Sequence, residues 1–362
     1  SIITLILIVI HSHIGLIKYA NLEYNNFFIT FIKSLFISLS MILIYYYKDL
    51  ILKNITSCIN IFLTIFFFYS IYILISNDYF YNFNLINCSN LFRFDKLVFK
   101  ELSHFHLLSV PIILYSIINF NEIRQKKITM FLISLFFIFS FLNFSLTFFI
   151  GIIGGSVIIS IVSKNLTKKI IIFLLIINFV NIGIFFSQKD TCAAKRLIDP
   201  NTYKYVLSPK EKLLTTGIFS VDSATVNYSF KVYINSFQVA INSFKNSIAG
   251  YGFDNYKLAF DAYIPKSYDK EKKTYPYRDL NSSDASNNFS KLTSEFGIFF
   301  LIICIIVILK SRTKNLDDKQ KALIYTLLFM QIFIRGSGIF NNGFLIISII
   351  LMYSLFSKKK IN

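Results

Sequence analysis

The feature that most constrains this chain is a series of apolar runs, most of them close to the roughly 20 residues a helix needs to cross a bilayer. With soft edges they lie at 2–17, 27–47, 55–75, 104–120, 128–142, 144–162, 170–187, 296–309, 322–335 and 339–356. The predicted fold is therefore an all-α polytopic membrane protein with about ten transmembrane helices. Composition points the same way. Hydrophobic residues make up 55% of the 362 and charged residues 15%, against about 25% charged in a soluble domain. Ser1 already lies inside an apolar run, so the true start is expected upstream. Residues 1–20 show neither the basic head nor the small-residue cleavage site of a signal peptide.

Lys and Arg set the orientation, because loops on the cytoplasmic side are enriched in them. With the first end inside, the inner loops hold Lys48 and Lys53; Arg124, Lys126 and Lys127; Lys164, Lys168 and Lys169; Lys310, Arg312, Lys314, Lys319 and Lys321; and Lys358, Lys359 and Lys360. The short outer connections hold only Lys18 and Arg335. This asymmetry accounts for much of the +18 net charge and leaves little reason to expect a nucleic-acid partner. The chain then divides into N-terminal helices over 1–187, with a short outer loop at 76–103, a large outer loop over 188–295, and C-terminal helices over 296–362.

The large loop carries 15 Lys or Arg and 11 Asp or Glu. It is too long for a passive connector. Within it, 226–248 is predicted as an amphipathic helix. Val226, Phe230, Tyr233, Phe237, Ile241, Phe244 and Ile248 recur at helical spacing, with Lys231, Asn235, Gln238, Asn242 and Lys245 on the other side. That apolar stripe either packs on the membrane domain or lies at the interface and helps hold a lipid-linked substrate.

No phosphate-cradling Gly loop occurs, and no Cys or His cluster has metal-ligand spacing. No Asp-x-Asp pair lies on the outer side, so no metal or cofactor is expected. Any phosphate there must be held by Lys or Arg. Glu101-Leu102-Ser103-His104-Phe105-His106 leads into the fourth span from outside. It offers a general base, or simply a polar helix start capped by Ser103. Gly250 and Gly252 break the preceding helix and permit a tight turn. The stretch from Ser286 through Asn287 to Gly297 runs straight into the eighth span, and Arg335-Gly336-Ser337-Gly338 lies near the outer end of the ninth. An arginine there is a functional candidate unless it snorkels. Lys33, inside the second span, is expected to snorkel. Gly151, Gly154 and Gly155 suit close helix packing.

Together these pieces resemble the O-antigen polymerase and ligase superfamily. Four features recur in the same order: Glu101 to Phe105 before a span, the late outer loop 188–295, the Gly250-x-Gly252 turn after an amphipathic helix, and Asn287-x9-Gly297 before the next span. Ligases of the superfamily have His-Asn where this chain has Ser286-Asn287, which favours the polymerase. Two further departures are Lys231, in a helix that often carries Arg, and Leu102, where Pro is common.

The resemblance implies a metal-independent glycosyltransferase in the bacterial inner membrane. It would move a glycan from undecaprenyl diphosphate to a sugar hydroxyl on another lipid-linked unit, at the periplasmic face. It also implies membrane lipid, a chain-length regulator and a flippase as partners. Arg335 would stabilise the leaving diphosphate, with Arg93, Arg196, Lys231 and Arg278 as further outer cations and Gly250, Gly252 and Asn287 shaping the site. Glu101, His104 or Asp222 would take the acceptor's proton, Glu101 and His104 being favoured. An O-antigen ligase and a lipid-linked glycan flippase remain as alternatives. Transporters tend to show internal repeats, and none is visible here. Cys58 and Cys304 lie in spans and are expected to be buried thiols. Cys88 and Cys192 fall in outer loops, where they form either a disulfide or two unrelated thiols.

Overall fold

The computed structural model describes residues 10–11, 24–76, 102–142, 145–163, 167–187, 228–264, 281–311, 316–336, 338–340 and 343–356. Among the described residues the chain is helical, with no strand. Its helices are α1 (Tyr24–Lys53), α2 (Ile55–Ser76), α3 (Leu102–Ile118), α4 (Phe120–Arg124), α5 (Lys127–Leu142), α6 (Leu146–Val162) and α7 (Lys168–Ser187). Then come α8 (Tyr228–Asn246), α9 (Tyr256–Tyr263), α10 (Asn288–Phe296), α11 (Ile298–Lys310), α12 (Asp318–Phe329) and α13 (Phe344–Phe356). A π-helical turn over Met330–Ile334 prolongs α12. Of the predicted runs only 2–17 lies almost wholly outside the described residues; the others are helical over most of their length. Two stretches, Phe28–Lys53 and Ile55–Tyr72, are long and apolar enough to cross a membrane. Fewer than a third of the residues in each are buried, unlike those of a soluble protein's core helix.

The chain forms two compact units, one of Ser1–Tyr46, Arg196–Lys310 and Gln331–Met352, the other of Tyr47–Lys195, Ser311–Met330 and Tyr353–Asn362. In the second, α3, α6 and α12 pack on one another. Small residues allow the close approach: a Cβ at Gly151 would come 2.7 Å from Met330 Sδ, and one at Gly155 2.5 Å from Leu114 Cδ1. The expected packing role of these glycines is met. An aromatic cluster ties α2 and α5 to α3. Phe66 stacks on Phe105 at 5.4 Å and meets Phe136 edge-on at 5.1 Å. Polar side chains join α7 to α6, Asn178 Nδ2 donating to Ser156 Oγ (2.9 Å) and Asn181 Nδ2 to the Phe149 carbonyl (3.1 Å). Asp317 and Gln320 form a reciprocal capping box that starts α12.

In the first unit α8, α9 and α10 pack together. Val239, Tyr251, Tyr256, Ala259, Phe260, Ile264 and Ala285 form a small apolar core. Here the structure corrects the expectation for 226–248. A helix forms, over Tyr228–Asn246, but it buries Val232, Asn235, Ser236, Val239, Ala240 and Ser243. The apolar stripe of Tyr233, Phe237, Ile241, Phe244 and Ile248 is only half-buried or exposed. At about 3.6 residues per turn the two stripes lie about 120° apart. The small, polar stripe faces inward where Ser236 bonds Asn287 and Ser290 of α10, while Phe237 packs at the edge against the Phe289 ring at 5.8 Å.

Three smaller expectations also change. Ser103 lies inside the first turn of α3 rather than ahead of it. Cys58 is a free thiol but exposed, and Cys304 is half-buried. Lys33 does not snorkel; its ammonium pairs with the Asp254 carboxylate. Cys88 and Cys192 lie outside the described residues.

Candidate functional site

The site grows from α10, Asn-Phe-Ser-Lys-Leu-Thr-Ser-Glu-Phe, whose narrow apolar stripe of Phe289, Leu292 and Phe296 is set among polar residues. Yet seven of its nine residues are buried: Asn288, Ser290, Lys291, Leu292, Thr293, Ser294 and Glu295. A polar helix enclosed on all sides must find partners for its side chains or carry a cost of about 1–3 kcal/mol for each unpaired group. Its N-cap is Asn287, whose Oδ1 accepts the Ser290 N–H at 2.8 Å. Asn287 Nδ2 donates to Ser236 Oγ on α8 (3.2 Å), and the Ser236 and Ser290 hydroxyls lie 3.3 Å apart. These bonds explain why α8 turns its Ser and Asn side inward.

The predicted glycine turn closes on the far end of α10. The Tyr251 N–H donates to the Ser294 carbonyl (2.8 Å), Gly252 N–H to the Glu295 carbonyl (3.0 Å), and Ile298 N–H to the Ile248 carbonyl (2.8 Å). Neither glycine at the crossing can carry a side chain. A Cβ at Gly250 (φ 85°) would stand 2.3 Å from the Glu295 carbonyl oxygen, and one at Gly297 (φ 53°) 1.9 Å from that of Ile248. The near end of α10 receives the segment after the π turn. Gly336 N–H donates to the Ser286 carbonyl (3.2 Å) and Gly338 N–H to Asn288 Oδ1 (3.1 Å). Arg335, half-buried, is thereby held beside the start of α10.

Around the glycine crossing lies a group of charges. Lys291 Nζ sits 3.4 Å from Glu295 Oε1 and 3.7 Å from Asp284 Oδ1, and donates to the Ser283 carbonyl at 2.6 Å. Glu295 is fully buried, and neither carboxylate oxygen has a hydrogen-bond partner of good geometry. Burial pushes its carboxyl up to about 7, and the charge of Asp254 adds to this. Lys291 and the Asp254 backbone N–H pull it the other way. Burial lowers the Lys291 ammonium, but Glu295, Asp254 and Asp284 outweigh it and hold that group above its ordinary value. Tyr256 on α9 is displaced upward by burial and by Glu295. Such a carboxyl exchanges a proton near neutrality.

The structure thus brings Gly250, Gly252, Asn287 and the Arg335 segment into one cluster. His104 belongs to the other unit, in the first turn of α3. Glu101, Arg93, Arg196, Asp222 and Arg278 lie outside the described residues, as does the side chain of Lys231. Sequence reasoning passed over Asp254, Tyr256, Lys291 and Glu295, and it took Lys33 for a snorkelling residue. The available signal was a Lys and a Glu four apart in an otherwise uncharged polar stretch directly ahead of an apolar run. Among the described residues no three His, Cys, Asp or Glu side chains gather as a metal-binding group. No protein-family model, no curated protein and no solved structure matches this chain.

Proposed function

We propose that this chain joins lipid-diphosphate-linked oligosaccharide repeat units into O-antigen or a related surface polysaccharide, at the periplasmic face of the bacterial inner membrane. In this reading the nine described apolar helices and the run at 2–17 make about ten spans. Their Lys- and Arg-rich turns face the cytoplasm, and α8, α9 and α10 belong to the outer loop. The observation that carries the proposal is the crossing of the glycine turn and α10. The two late features shared with the polymerase and ligase superfamily are far apart in sequence, yet Gly250 and Gly297 lie against each other's backbone.

The chemistry follows from the charges. A sugar hydroxyl attacks the anomeric carbon of the donor glycan, and the lipid diphosphate departs with the bonding electron pair. Preorganised cations lower the barrier to that departure. Arg335 is assigned this role, with Arg93, Arg196, Lys231 and Arg278 as further outer cations. Holding two large substrates in line supplies much of the remaining rate. The exposed Ile241 of α8 and Ile248 just beyond it suit contact with the carrier lipid or bilayer.

A ligase is the second reading, and one observation weighs against it. Ser286, where ligases have His, is buried, and its Oγ accepts from Asn281 Nδ2 at 3.2 Å. A small hydroxyl fills a place an imidazole would need. The test is the surface glycan of strains carrying Arg335→Ala and Arg335→Lys. A polymerase defect leaves a single repeat unit on lipid A core, with partial recovery in the Lys strain. Long polymer accumulating on the carrier lipid would establish the ligase instead. Normal long-chain surface polymer in the Arg335→Ala strain would remove Arg335 from the site.

A further inference from the structure

The crossing of the glycine turn and α10 is polar within and apolar without. Asn287, Asn288, Ser290, Lys291, Ser294 and Glu295 are all buried there. Outward at the same place stand Ile248 (64% exposed), Phe299 (53%), Phe36 (56%) and Phe340 (37%). Contacts tie each of them to the crossing. The Ile248 carbonyl accepts the Ile298 N–H, next to Phe299. The Phe340 ring meets Phe253 of the glycine turn at 6.3 Å and Phe36 of α1 at 6.0 Å. Exposed charges stand on α8 and α9 instead, at Lys245, Lys257 and Asp261. A continuous apolar rim around buried polar groups is what a membrane-facing surface presents.

Two helices measure how deep this rim lies. α11 has 13 residues and, at about 1.5 Å each, rises about 20 Å from its basic inner end at Lys310. On α1, the exposed Tyr45 and Tyr46 fit the aromatic belt of the inner interface. Lys33 lies about 20 Å from Tyr46 along that helix. Both measures end on one turn, because Lys33 pairs with Asp254 and Ile298 bonds Ile248. The hydrocarbon core is about 30 Å thick, which leaves the turn about 10 Å short of the outer face. Tilting either helix would sink it further. His11, well inside the apolar run 2–17, reaches the same turn, its Nε2 lying 2.9 Å from the Ala249 carbonyl oxygen.

We propose that the crossing is re-entrant. It hangs about 10 Å below the outer face of the bilayer, with Ile248, Phe299, Phe36 and Phe340 against the acyl chains of the outer leaflet, while α9 and its charges stay in water. This rests on the outer-face orientation in the proposed function and not on its glycan chemistry. Non-helical backbone is tolerated at that depth only where protein encloses it. The turn meets this condition through the Tyr251 and Gly252 N–H groups, which donate to the Ser294 and Glu295 carbonyls. The placement also explains Lys33 and Asp254. Ionisable groups inside a bilayer pair with one another or line a wet cavity. These two pair, and their side chains stay 35% and 19% exposed, where water follows them down from the outer side.

The test is a depth measurement with nitroxide labels on the full-length chain in lipid nanodiscs, its four cysteines replaced by alanine. Single cysteines are placed by Ile248→Cys, Phe299→Cys and Asp261→Cys, all at exposed positions. Each label is relaxed by oxygen, which concentrates in the bilayer, or by a water-soluble nickel chelate. Lipids labelled along the acyl chain supply the depth scale. Labels at 248 and 299 should be relaxed by oxygen, shielded from nickel, and read about 10 Å deep. The label at 261 should be relaxed by nickel. Nickel reaching 248 and 299 as readily as 261 overturns the re-entrant placement and leaves the proposed function intact. Shielding of 248 and 299 from both reagents means that protein, such as a second copy of this chain, covers the rim, and it overturns the lipid contact. The orientation is checked separately with the Asp261→Cys chain in right-side-out spheroplasts, where an impermeant maleimide should label it. No labelling there removes the outer-face orientation and the proposed function with it.

Discussion

Gly297→Ala is the sharpest test of the crossing between the glycine turn and α10. The added Cβ would lie 1.9 Å from the Ile248 carbonyl oxygen, 2.7 Å from the Gly250 amide nitrogen and 2.8 Å from the Ile248 carbonyl carbon. All three are backbone atoms, so no rotamer change relieves the clash and the two strands of chain must part. Parting them breaks the Ile298-to-Ile248 and Gly252-to-Glu295 hydrogen bonds, at about 1 kcal/mol each when the freed groups reach water and more when they do not. Residue 297 has φ 53°, which costs a side chain about 1–3 kcal/mol. Together these come to about 4 kcal/mol. At about 2 °C per kcal/mol for a chain of this size, the melting temperature should fall by about 8 °C. Gly183→Ala on α7 is the control, because nothing lies within 4 Å of its Cβ position and alanine favours a helix by up to about 1 kcal/mol. The assay is thermal unfolding of the two purified variants in one detergent. A Gly297→Ala protein that melts with Gly183→Ala or above it would refute the interlock.

Three other outcomes are expected. Lys33→Met should lower stability by about 1 kcal/mol, a modest figure because the lysine is partly exposed, and Asp254→Asn in the same chain should restore most of it; no restoration in the double variant would dissolve the ion pair. The neutral Glu295 carboxyl contributes stability that is present below its ordinary 4.5 and lost as pH rises through about 7, worth about 3 kcal/mol at most. Glu295→Gln should flatten that decline in unfolding midpoints, and an unchanged slope would speak against the raised carboxyl. Reporter fusions after Lys169 and Lys321 should read cytoplasmic and a fusion near Asp254 periplasmic; a cytoplasmic signal near Asp254 would overturn the orientation.

The helices were legible because length and apolar continuity are properties of a segment alone. Even α8 was found to within two residues at each end. Its buried face was not, because that depends on what it meets. Against α10, Ser236 turns inward to Asn287 and Ser290, and Phe237 is left at the edge against Phe289. The burial of α10 was hidden for the same reason, since Asn-Phe-Ser-Lys-Leu-Thr-Ser-Glu-Phe has the composition of an exposed loop. Gly250 and Gly297 were each visible as a glycine, but their mutual contact spans 47 positions of sequence and no local pattern encodes it. Lys33 looked like a residue seeking the interface because Asp254, its partner, is more than two hundred residues away.

The π turn over Met330–Ile334 has a consequence for how this chain can change. A π turn holds one residue more than the α turn it replaces. Within the first unit, the Phe333 carbonyl in this turn accepts the Tyr233 hydroxyl of α8. Gly336, three positions further on and in the same unit, donates to the Ser286 carbonyl. The chain between Phe333 and Gly336 is therefore tied at both ends, and removing one residue from it takes away up to about 3.5 Å of reach. One of the two hydrogen bonds must then break, so a one-residue deletion between them should be tolerated far less than most substitutions.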